Sequence, residues 1–140
     1  MIYHHNRFAF KKNVGAEQRE EALAALRNQG ESIDAVVRYV VGRDVGGEFE
    51  YGAVFVLNDL DGYWEYLMAP SHARTDRIGL PLLDSFVSYD TTDSDDPGIA
   101  EKIAGLHARR YAGDPDLTQL VADLPSYSGS SAPAGSPPGP

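Results

Sequence analysis

The chain opens with Met1-Ile-Tyr-His-His-Asn-Arg-Phe-Ala-Phe10, and the alternation in this stretch predicts the first strand of a sheet. Side chains of a strand point to its two faces in turn, so every second residue shares one face: Ile2, His4, Asn6, Phe8 and Phe10. This face combines apolar side chains with an imidazole and an amide. If it packs on the core, His4 and Asn6 each need a buried hydrogen-bond partner.

The rest of the first 90 residues predicts a regular order of elements. Helix formers fill Ala16 to Gln29, and Gly30 stands where a C-terminal cap belongs. The later elements are a strand at 35–41, a strand at 49–57, a helix capped by Asn58-Asp59 that runs to Met68, a loop or short helix from Pro70 to about Leu80, and a strand at 82–90. This βαββαβ order predicts a ferredoxin-like α+β fold, an antiparallel four-stranded sheet with two helices on one face.

The second and third predicted strands carry large apolar side chains on both faces. Tyr39, Val54 and Phe55 cannot all lie beneath two helices that cover one face of the sheet. An exposed apolar face of this size usually marks an interface. We therefore predict a homodimer joined sheet to sheet, with His5 in the interface because it points away from His4.

The composition changes after the last predicted strand and divides the chain into three parts. We predict a domain at 1–92, a helical extension at 93–125 and a disordered Ser/Pro/Gly tail at 126–140. Asp96-Pro97 and Asp114-Pro115 predict the starts of two short amphipathic helices, and His107 on the first of them is expected to be solvated. Truncation from Ser126 is expected to leave the stability unchanged.

Composition and charge narrow the class of partner. The formal net charge is −9 and no basic patch is visible, which argues against nucleic acid and against an anionic membrane surface. No run approaches the roughly 20 apolar residues of a spanning helix and no signal peptide is apparent, so we expect a cytoplasmic protein.

Metal sites find little support in the sequence. The chain has no cysteine, which excludes disulfides and thiolate metal sites. The acidic residues from Asp90 to Asp96 lack the glycine and the distal glutamate of an EF-hand loop, so we interpret them as a solvated linker. No metal and no organic cofactor is predicted.

A second stretch, Tyr63-Trp-Glu-Tyr-Leu-Met-Ala-Pro-Ser-His72, predicts the end of the helix that runs to Met68, followed by Pro70-Ser71-His72. With His4 from the first strand, Tyr66 and His72 could supply proton transfer in a pocket without metal or cofactor. The alternatives are structural: His72 could cap the preceding helix, His4 could be a satisfied core histidine, and Tyr66 could pack with a wet hydroxyl.

Three segments give the chain a resemblance to the stress-responsive dimeric α/β barrel family over about residues 1–91. They are Ile2-Tyr-His4 with the alternation to Phe10, the strand Gly52-Ala-Val-Phe-Val-Leu57, and Tyr66-Leu-Met-Ala-Pro70-Ser-His72, which resembles the family's Tyr-x-x-x-Pro-x-His signature. The resemblance implies a ferredoxin-like protomer and a dimer whose two sheets form the barrel.

The family includes a plant polyketide cyclase, and that resemblance implies roles for His4, Tyr66 and His72. It implies that His72 is the base for an aldol closure and that Tyr66 aids substrate binding. The chain departs from the cyclase at Leu26, where the cyclase has a pocket tyrosine, and at Asn6, which replaces an apolar residue.

Three functions stay open at this point. The first is a cofactor-free cyclase or dehydratase acting on a polyketide-like or related carbonyl substrate: His72 is the base, Tyr66 and Asn6 hold carbonyl oxygens, His4 positions substrate or relays a proton, and Phe8, Trp64 and Phe86 line the pocket. The second is a non-enzymatic stress-related dimer that binds a small apolar ligand. The third, a haem-handling dimer, rests on the available histidines alone.

Overall fold

The predicted order of elements is confirmed in the computed structural model, which describes residues 1–133. The elements are β1 (Ile2–Phe10), α1 (Ala16–Ser32), β2 (Val36–Arg43), β3 (Tyr51–Leu57), α2 (Leu60–Met68), α3 (Pro70–Gly79), a 3-10 turn (Leu80–Leu82), β4 (Leu83–Thr92), α4 (Ile99–Ala112), α5 (Pro115–Ala122) and β5 (Tyr127–Ser128). The first 92 residues form the ferredoxin-like α+β fold.

The sheet has the strand order β2-β3-β1-β4-β5, with β1 at its centre. β1 pairs antiparallel with β3 and with β4, and β2 pairs antiparallel with β3. β5 adds a fifth strand that the sequence did not predict, and it runs parallel to β4. The sheet is therefore mixed rather than purely antiparallel.

The inner face of β1 is buried as its alternation predicts. Ile2 belongs to one apolar cluster with Phe55, Leu57 and residues of α2, whereas Phe8 and Phe10 belong to a second cluster near Leu83. His4 and Asn6 lie between these two on the strand and are only 3% and 8% exposed. The strand thus places two polar side chains in the middle of the core.

The prediction that α1 ends at Gly30 is wrong, because the helix continues to Ser32. Gly30 instead lies beneath the ring of Tyr39, and a Cβ at this position would overlap that ring. Tyr39 in turn stacks on Phe55 of β3 with ring centres 6.3 Å apart. The glycine is required by close packing of α1 on the sheet rather than by a helix cap.

The junction of α2 and α3 has the caps that its sequence indicates. Asp59 caps α2 by accepting a hydrogen bond from the backbone N–H of Gly62 at 2.8 Å. Ala69 ends α2 with an extended backbone and also precedes Pro70, the first residue of α3. The segment predicted as a loop or short helix is thus a helix of ten residues, and it carries His72 in its first turn.

The C-terminal extension begins slightly later than its sequence suggests. α4 starts at Ile99 with Gly98 as its N-cap, and Asp96 accepts a hydrogen bond from the Gly98 N–H. α5 starts at Pro115 as predicted, with Asp114 capping the N–H of Leu117. Both helices pack on the domain, α4 against α2 and α5 against α3.

The expectation of disorder from residue 126 onward is wrong for the part of the tail that the structure describes. Tyr127 is 4% exposed, and its ring stacks on Phe86 with centres 4.7 Å apart. Ser131 is also buried. Truncation from Ser126 would remove this packing and should therefore destabilise the fold. Residues 134–140 lie outside the described residues.

The outer face of the sheet has no layer above it within residues 1–133. Val40, Val54, His5 and Tyr89 are register neighbours and form one row across β2, β3, β1 and β4. Val40 is 60% exposed and Tyr3, on the same face, is 36% exposed. This is the apolar face that the sequence predicts.

Over residues 1–133, none of the helices combines the length and the apolar character that a membrane span requires.

Two helical glycines provide a matched test of the packing between α1 and the sheet. We expect Gly30→Ala to destabilise the protein by about 1–3 kcal/mol, because the added methyl must displace Tyr39. Gly105→Ala, in α4 where a Cβ would have no neighbour within 4 Å, should instead stabilise by up to about 1 kcal/mol. Urea unfolding of both variants measures the difference, and equal effects would contradict the packing described.

Candidate active site

Two adjoining cavities lie between the sheet and the helices. The apolar cavity encloses about 500 Å³, counting the space open to solvent, and its walls include Phe8, Phe10, Leu26 and Leu83. The polar cavity encloses about 360 Å³ on the same basis and is bordered by His4, Ser88, His107, Arg110 and Ser131, among others. The two share five lining residues: Asn6, His72, Asp76, Leu80 and Phe86.

Six of the seven residues predicted for the site line these cavities: His4, Asn6, Phe8, Tyr66, His72 and Phe86. The ring of Tyr66 lies between the two imidazoles, 5.6 Å from His4 and 4.6 Å from His72 between ring centres. Trp64 does not belong to this group. It is two residues before Tyr66 on α2, faces α4, and packs against the guanidinium of Arg109 at 4.1 Å.

His72 lines both cavities and has only its Nδ1 engaged in a hydrogen bond. Its Nδ1–H donates to the backbone carbonyl of Tyr66 at 3.1 Å. Its Nε2 is 3.7 Å from a carboxylate oxygen of Asp76, one turn further along α3. Burial, and after it the charge of Arg110, lower the pKa of His72 well below its ordinary value. The ring is therefore neutral at pH 7 and carries its lone pair on Nε2.

Arg110 and Asp76 form an ion pair next to His72. Arg110 donates from Nη2 to Oδ2 of Asp76, and both side chains are nearly inaccessible. Burial raises the pKa of Asp76, and the guanidinium opposes this shift. Because Arg110 belongs to α4, the C-terminal extension supplies the cation that balances this buried carboxylate.

Tyr66 keeps its proton. Burial is the main cause that raises the pKa of its hydroxyl, with the charge of Asp76 second. A hydrogen bond from Asn6 acts in the opposite direction. At neutral pH Tyr66 is a hydrogen-bond donor at the wall of the apolar cavity, beside the amide of Asn6.

Tyr63 is the centre of a second group of polar side chains, and no role was predicted for it from the sequence. Its hydroxyl oxygen lies 2.9 Å from Nδ1 of His4, 2.9 Å from Oδ1 of Asp90 and 2.8 Å from Nε2 of His107. His4 Nδ1 also lies 2.9 Å from Asp90 Oδ1. Three side chains from β1, β4 and α4 thus converge on one buried phenol.

One arrangement of protons satisfies these contacts together. The Tyr63 hydroxyl and His4 Nδ1–H both donate to Asp90, and His107 Nε2–H donates to the Tyr63 oxygen. Burial alone would raise the pKa of Asp90, but hydrogen bonds from His4, Ser130 and Tyr63 and the charge of His4 outweigh it and hold this pKa below its ordinary value. The carboxylate therefore stays ionised. The other nitrogen of His4, Nε2, lies 3.5 Å from Oγ of Ser88.

Two serines connect this group to the end of the described chain. Ser131 Oγ lies 2.7 Å from Ser88 Oγ and 3.2 Å from Nε2 of His107. Ser130 Oγ donates to the second oxygen of Asp90 at 2.7 Å. Gly129, with a φ of +104°, lets the chain pass directly over the carbonyl of Ser88. The segment after β5 thus closes one side of the polar cavity.

His4, Asp90 and His107 also offer three atoms of metal-ligand type within 4.8 Å of one another. The same atoms are all within hydrogen-bond distance of the Tyr63 hydroxyl. The hydrogen bonds to Tyr63 account for the closeness of this cluster.

Two interpretations of the sequence are corrected here. His107 is 5% exposed rather than solvated, because it follows Ile103 by four residues and shares the buried face of α4. Asp90 belongs to β4, as the strand predicted at 82–90 indicates, and lies directly opposite His4 rather than with the solvated acidic residues that follow. Strand parity could have found it, since Phe86, Ser88 and Asp90 occupy one face of β4.

Fold and site together define a small ferredoxin-like α+β domain with an uncovered sheet face and a histidine-lined cavity under its helices. The chain belongs to the family described as Stress responsive A/B Barrel Domain, whose profile matches residues 2–93. The resemblance drawn from the sequence is thereby confirmed. The match ends before α4, so His107, Arg110 and Ser131 lie beyond it.

Solved structures share the fold. A dimeric ferredoxin-like protein of unknown function from Thermobifida fusca is 26% identical, with a TM-score of 0.60 over 65% of this chain and 89% of that one. A hydroxynitrile lyase from Passiflora edulis is 12% identical, with a TM-score of 0.60 over 67% and 94%. SnoaB, a cofactor-independent oxygenase from Streptomyces nogalater, is 21% identical, with a TM-score of 0.53 over 69% and 96%. The comparison with curated proteins gives no match.

The buried imidazole of His107 should make the stability depend on pH. Burial, and after it the charge of His4, lower its pKa from 6.5 to about 3. Between these values the unfolded chain binds a proton that the folded protein does not, so stability is lost as the pH falls below about 6.5. Between pH 7 and pH 5 this single group should lower the free energy of unfolding by about 2 kcal/mol.

The measurement compares urea unfolding of the wild type and of His107→Gln at pH 7 and pH 5. The glutamine amide can replace the Nε2–H bond to Tyr63 without titrating. Other buried groups are present in both proteins, so the difference in pH dependence isolates His107. If both lose the same stability on acidification, His107 is not a buried neutral imidazole.

Proposed function

We propose that the protein is an enzyme that removes a proton from a carbon next to a carbonyl group, as a cyclase or dehydratase acting on a polyketide-like or related carbonyl substrate. The observation that carries the proposal is His72. It presents a neutral imidazole with its Nε2 lone pair at the border of the two cavities. Such a base contributes typically about 10²–10⁴-fold to a proton transfer.

The neighbours of His72 fit the charge that forms in this reaction. Loss of the proton moves negative charge onto the carbonyl oxygen, which then needs donors placed in advance. The protonated hydroxyl of Tyr66 and the amide of Asn6 line the same apolar cavity. We assign them to the carbonyl oxygen, with His72 as base.

His4 would be the second acid–base group. Asp90 fixes its Nδ1–H, so its Nε2 can accept or return a proton in the polar cavity. An aldol closure followed by loss of water needs a base for the first step and an acid for the departing hydroxyl. Two imidazoles held on either side of Tyr66 suit that division.

The walls of the apolar cavity indicate the body of the substrate. Phe8, Phe10, Leu26 and Phe86 offer aromatic and aliphatic surface and no hydrogen-bonding group. An aromatic or alkyl-substituted carbonyl compound would bury its apolar part there and direct its polar end to His72. Among the relatives by fold are a lyase and a cofactor-independent oxygenase, which supports a catalytic use of this scaffold.

Acetophenone tests the proposal, because it has an aromatic body and exchangeable protons next to its carbonyl. In D₂O the wild type should accelerate the loss of its methyl proton signal, measured by NMR, and His72→Gln should lower the protein-dependent rate by about 10²–10⁴-fold. Met68→Ala is the control, since this side chain is exposed on α2 and should leave the rate unchanged.

The alternative function, binding of a small apolar ligand without chemistry, is favoured by the same apolar walls. The experiment separates the two. Saturable binding of acetophenone with no acceleration of exchange would contradict the enzyme and support the binding protein. Acceleration that survives in His72→Gln would remove His72 from the role of base.

We also propose that two copies pair through the outer sheet face, and the similar protein from Thermobifida fusca is itself dimeric. Exposed apolar side chains on that face, with Val40 at 60%, support the proposal. His5 Nε2 and Asp44 Oδ2 are buried there and have no hydrogen-bond partner within the described residues. A second copy could supply donors and acceptors to both.

Sedimentation of the wild type should give about twice 15.2 kDa. Val40→Glu should shift the mass toward one copy, because a charge in the centre of the face would be buried without a partner. Val45→Glu is the matched control, since Val45 is 85% exposed in the loop between β2 and β3 and should leave the dimer intact. A monomeric wild type at micromolar concentration would contradict the pairing.

A further inference from the structure

Gln29 is the one side chain in the wall of the apolar cavity with a buried oxygen that the described residues leave unpaired. It lies in the last turns of α1 and is 1% exposed. Its amide oxygen, Oε1, has no hydrogen-bond partner within residues 1–133. The same side chain borders the apolar cavity, opposite the inner face of β1.

A buried amide oxygen without a donor is costly, about 1–3 kcal/mol, and folded proteins rarely tolerate one. The cavity wall does not repair the deficit: Phe10, Ala22 and Leu26 have no polar side-chain atoms. The polar side chains of the same wall are not within hydrogen-bond distance of Oε1. The hydroxyl of Thr75, in the same wall, has a single proton, and the backbone carbonyls of Ser71 at 2.9 Å and Ala25 at 3.2 Å compete to accept it. The donor that Gln29 needs must therefore come from what the cavity holds.

We infer that Gln29 selects a ligand that carries a hydroxyl group on an apolar, ring-sized body, and that this hydroxyl donates to Oε1. A hydroxyl is the group that fits best, because it can also accept from the amide nitrogen if the amide turns over. The aromatic and aliphatic walls take the rest of the ligand. Gln29 thus adds a polar group from α1 to the cavity that Tyr66 and His72 also line.

The inference rests on the apolar cavity being the substrate site of the proposed function, and it makes that function more specific. Closure of a chain of alternating carbonyl groups into a six-membered ring, with loss of water, gives a phenol. The hydroxyl of such a product, or the enol of its precursor, is the donor that Oε1 requires. The preferred substrate then carries a hydroxyl or an enol in addition to the carbonyl group next to which the proton is removed.

Phenol and toluene are a matched pair of probes, because they differ by a hydroxyl in place of a methyl group of similar size. Each is titrated into the full-length protein, with binding followed by the backbone NMR spectrum. The quantity compared is the ratio of the two dissociation constants, which cancels changes in the general shape of the cavity. In Gln29→Met the affinity for phenol should fall by about tenfold relative to the affinity for toluene, because one buried hydrogen bond contributes about that much.

Leu26→Met is the control, since it alters the same wall of α1 without touching a hydrogen bond and should leave the ratio unchanged. A second readout uses the wild type alone: the side-chain amide signals of Gln29 should shift with phenol and stay in place with toluene. An unchanged ratio in Gln29→Met, or amide signals indifferent to phenol, would overturn the inference. So would a wild type that binds neither probe.

These outcomes are independent of the test for catalysis. If the ratio changes as expected but acetophenone exchange is not accelerated, the cavity recognises a hydroxyl and the proposed enzyme is wrong. If exchange is accelerated but the ratio is unchanged, the enzyme stands and Gln29 has no part in its specificity.

Discussion

Two polar side chains on the buried face of the central strand determine which other polar groups the fold has to bring into its core. His4 and Asn6 lie between two apolar clusters, where an unpaired polar group would cost several kcal/mol. Each has to be met by a partner that is itself brought into the core. Asp90 and Tyr63 reach His4, and Tyr66 reaches Asn6. The need for these buried partners therefore explains why the cavity is lined by polar side chains.

The C-terminal extension completes this polar interior. His107 meets Tyr63, Arg110 neutralises Asp76, and Ser131 joins Ser88 to His107. All three residues lie beyond the part of the chain that matches the family, so the domain and its extension share one hydrogen-bonded network. An extension that only covered the surface would not need a buried histidine and a buried arginine.

The parts that the sequence predicted are those governed by local periodicity. The alternation of β1 placed His4 and Asn6 inside, and the caps at Asp59 and Asp114 located two helix starts. The sequence assigned Gly30 to a helix cap, which is wrong. A glycine is required there because the ring of Tyr39 on β2 lies against it, and no local sequence pattern reveals this contact.

The roles of Asp90 and His107 were missed for a different reason. Asp90 begins an acidic run that is solvated over most of its length, and His107 is followed closely by two arginines. These polar neighbours indicated solvated residues, although the strand and helix periods place both side chains on buried faces. A strand of two residues such as β5 is too short to show any period. Tyr63 lies in α2, but the sequence does not show that its hydroxyl joins three buried partners from other elements.

The fifth strand also bears on how the sheet avoids pairing with other chains. A free edge offers unpaired backbone groups to any passing strand, and proteins protect such edges with charges or a short covering segment. β5 covers β4 at Phe86 and Val87, the most apolar part of that edge, while Arg38 and Arg43 place charges on β2 at the other edge. Truncation before Tyr127 would thus expose the edge of β4 to pairing with other chains, which promotes aggregation, and would also remove a wall of the cavity.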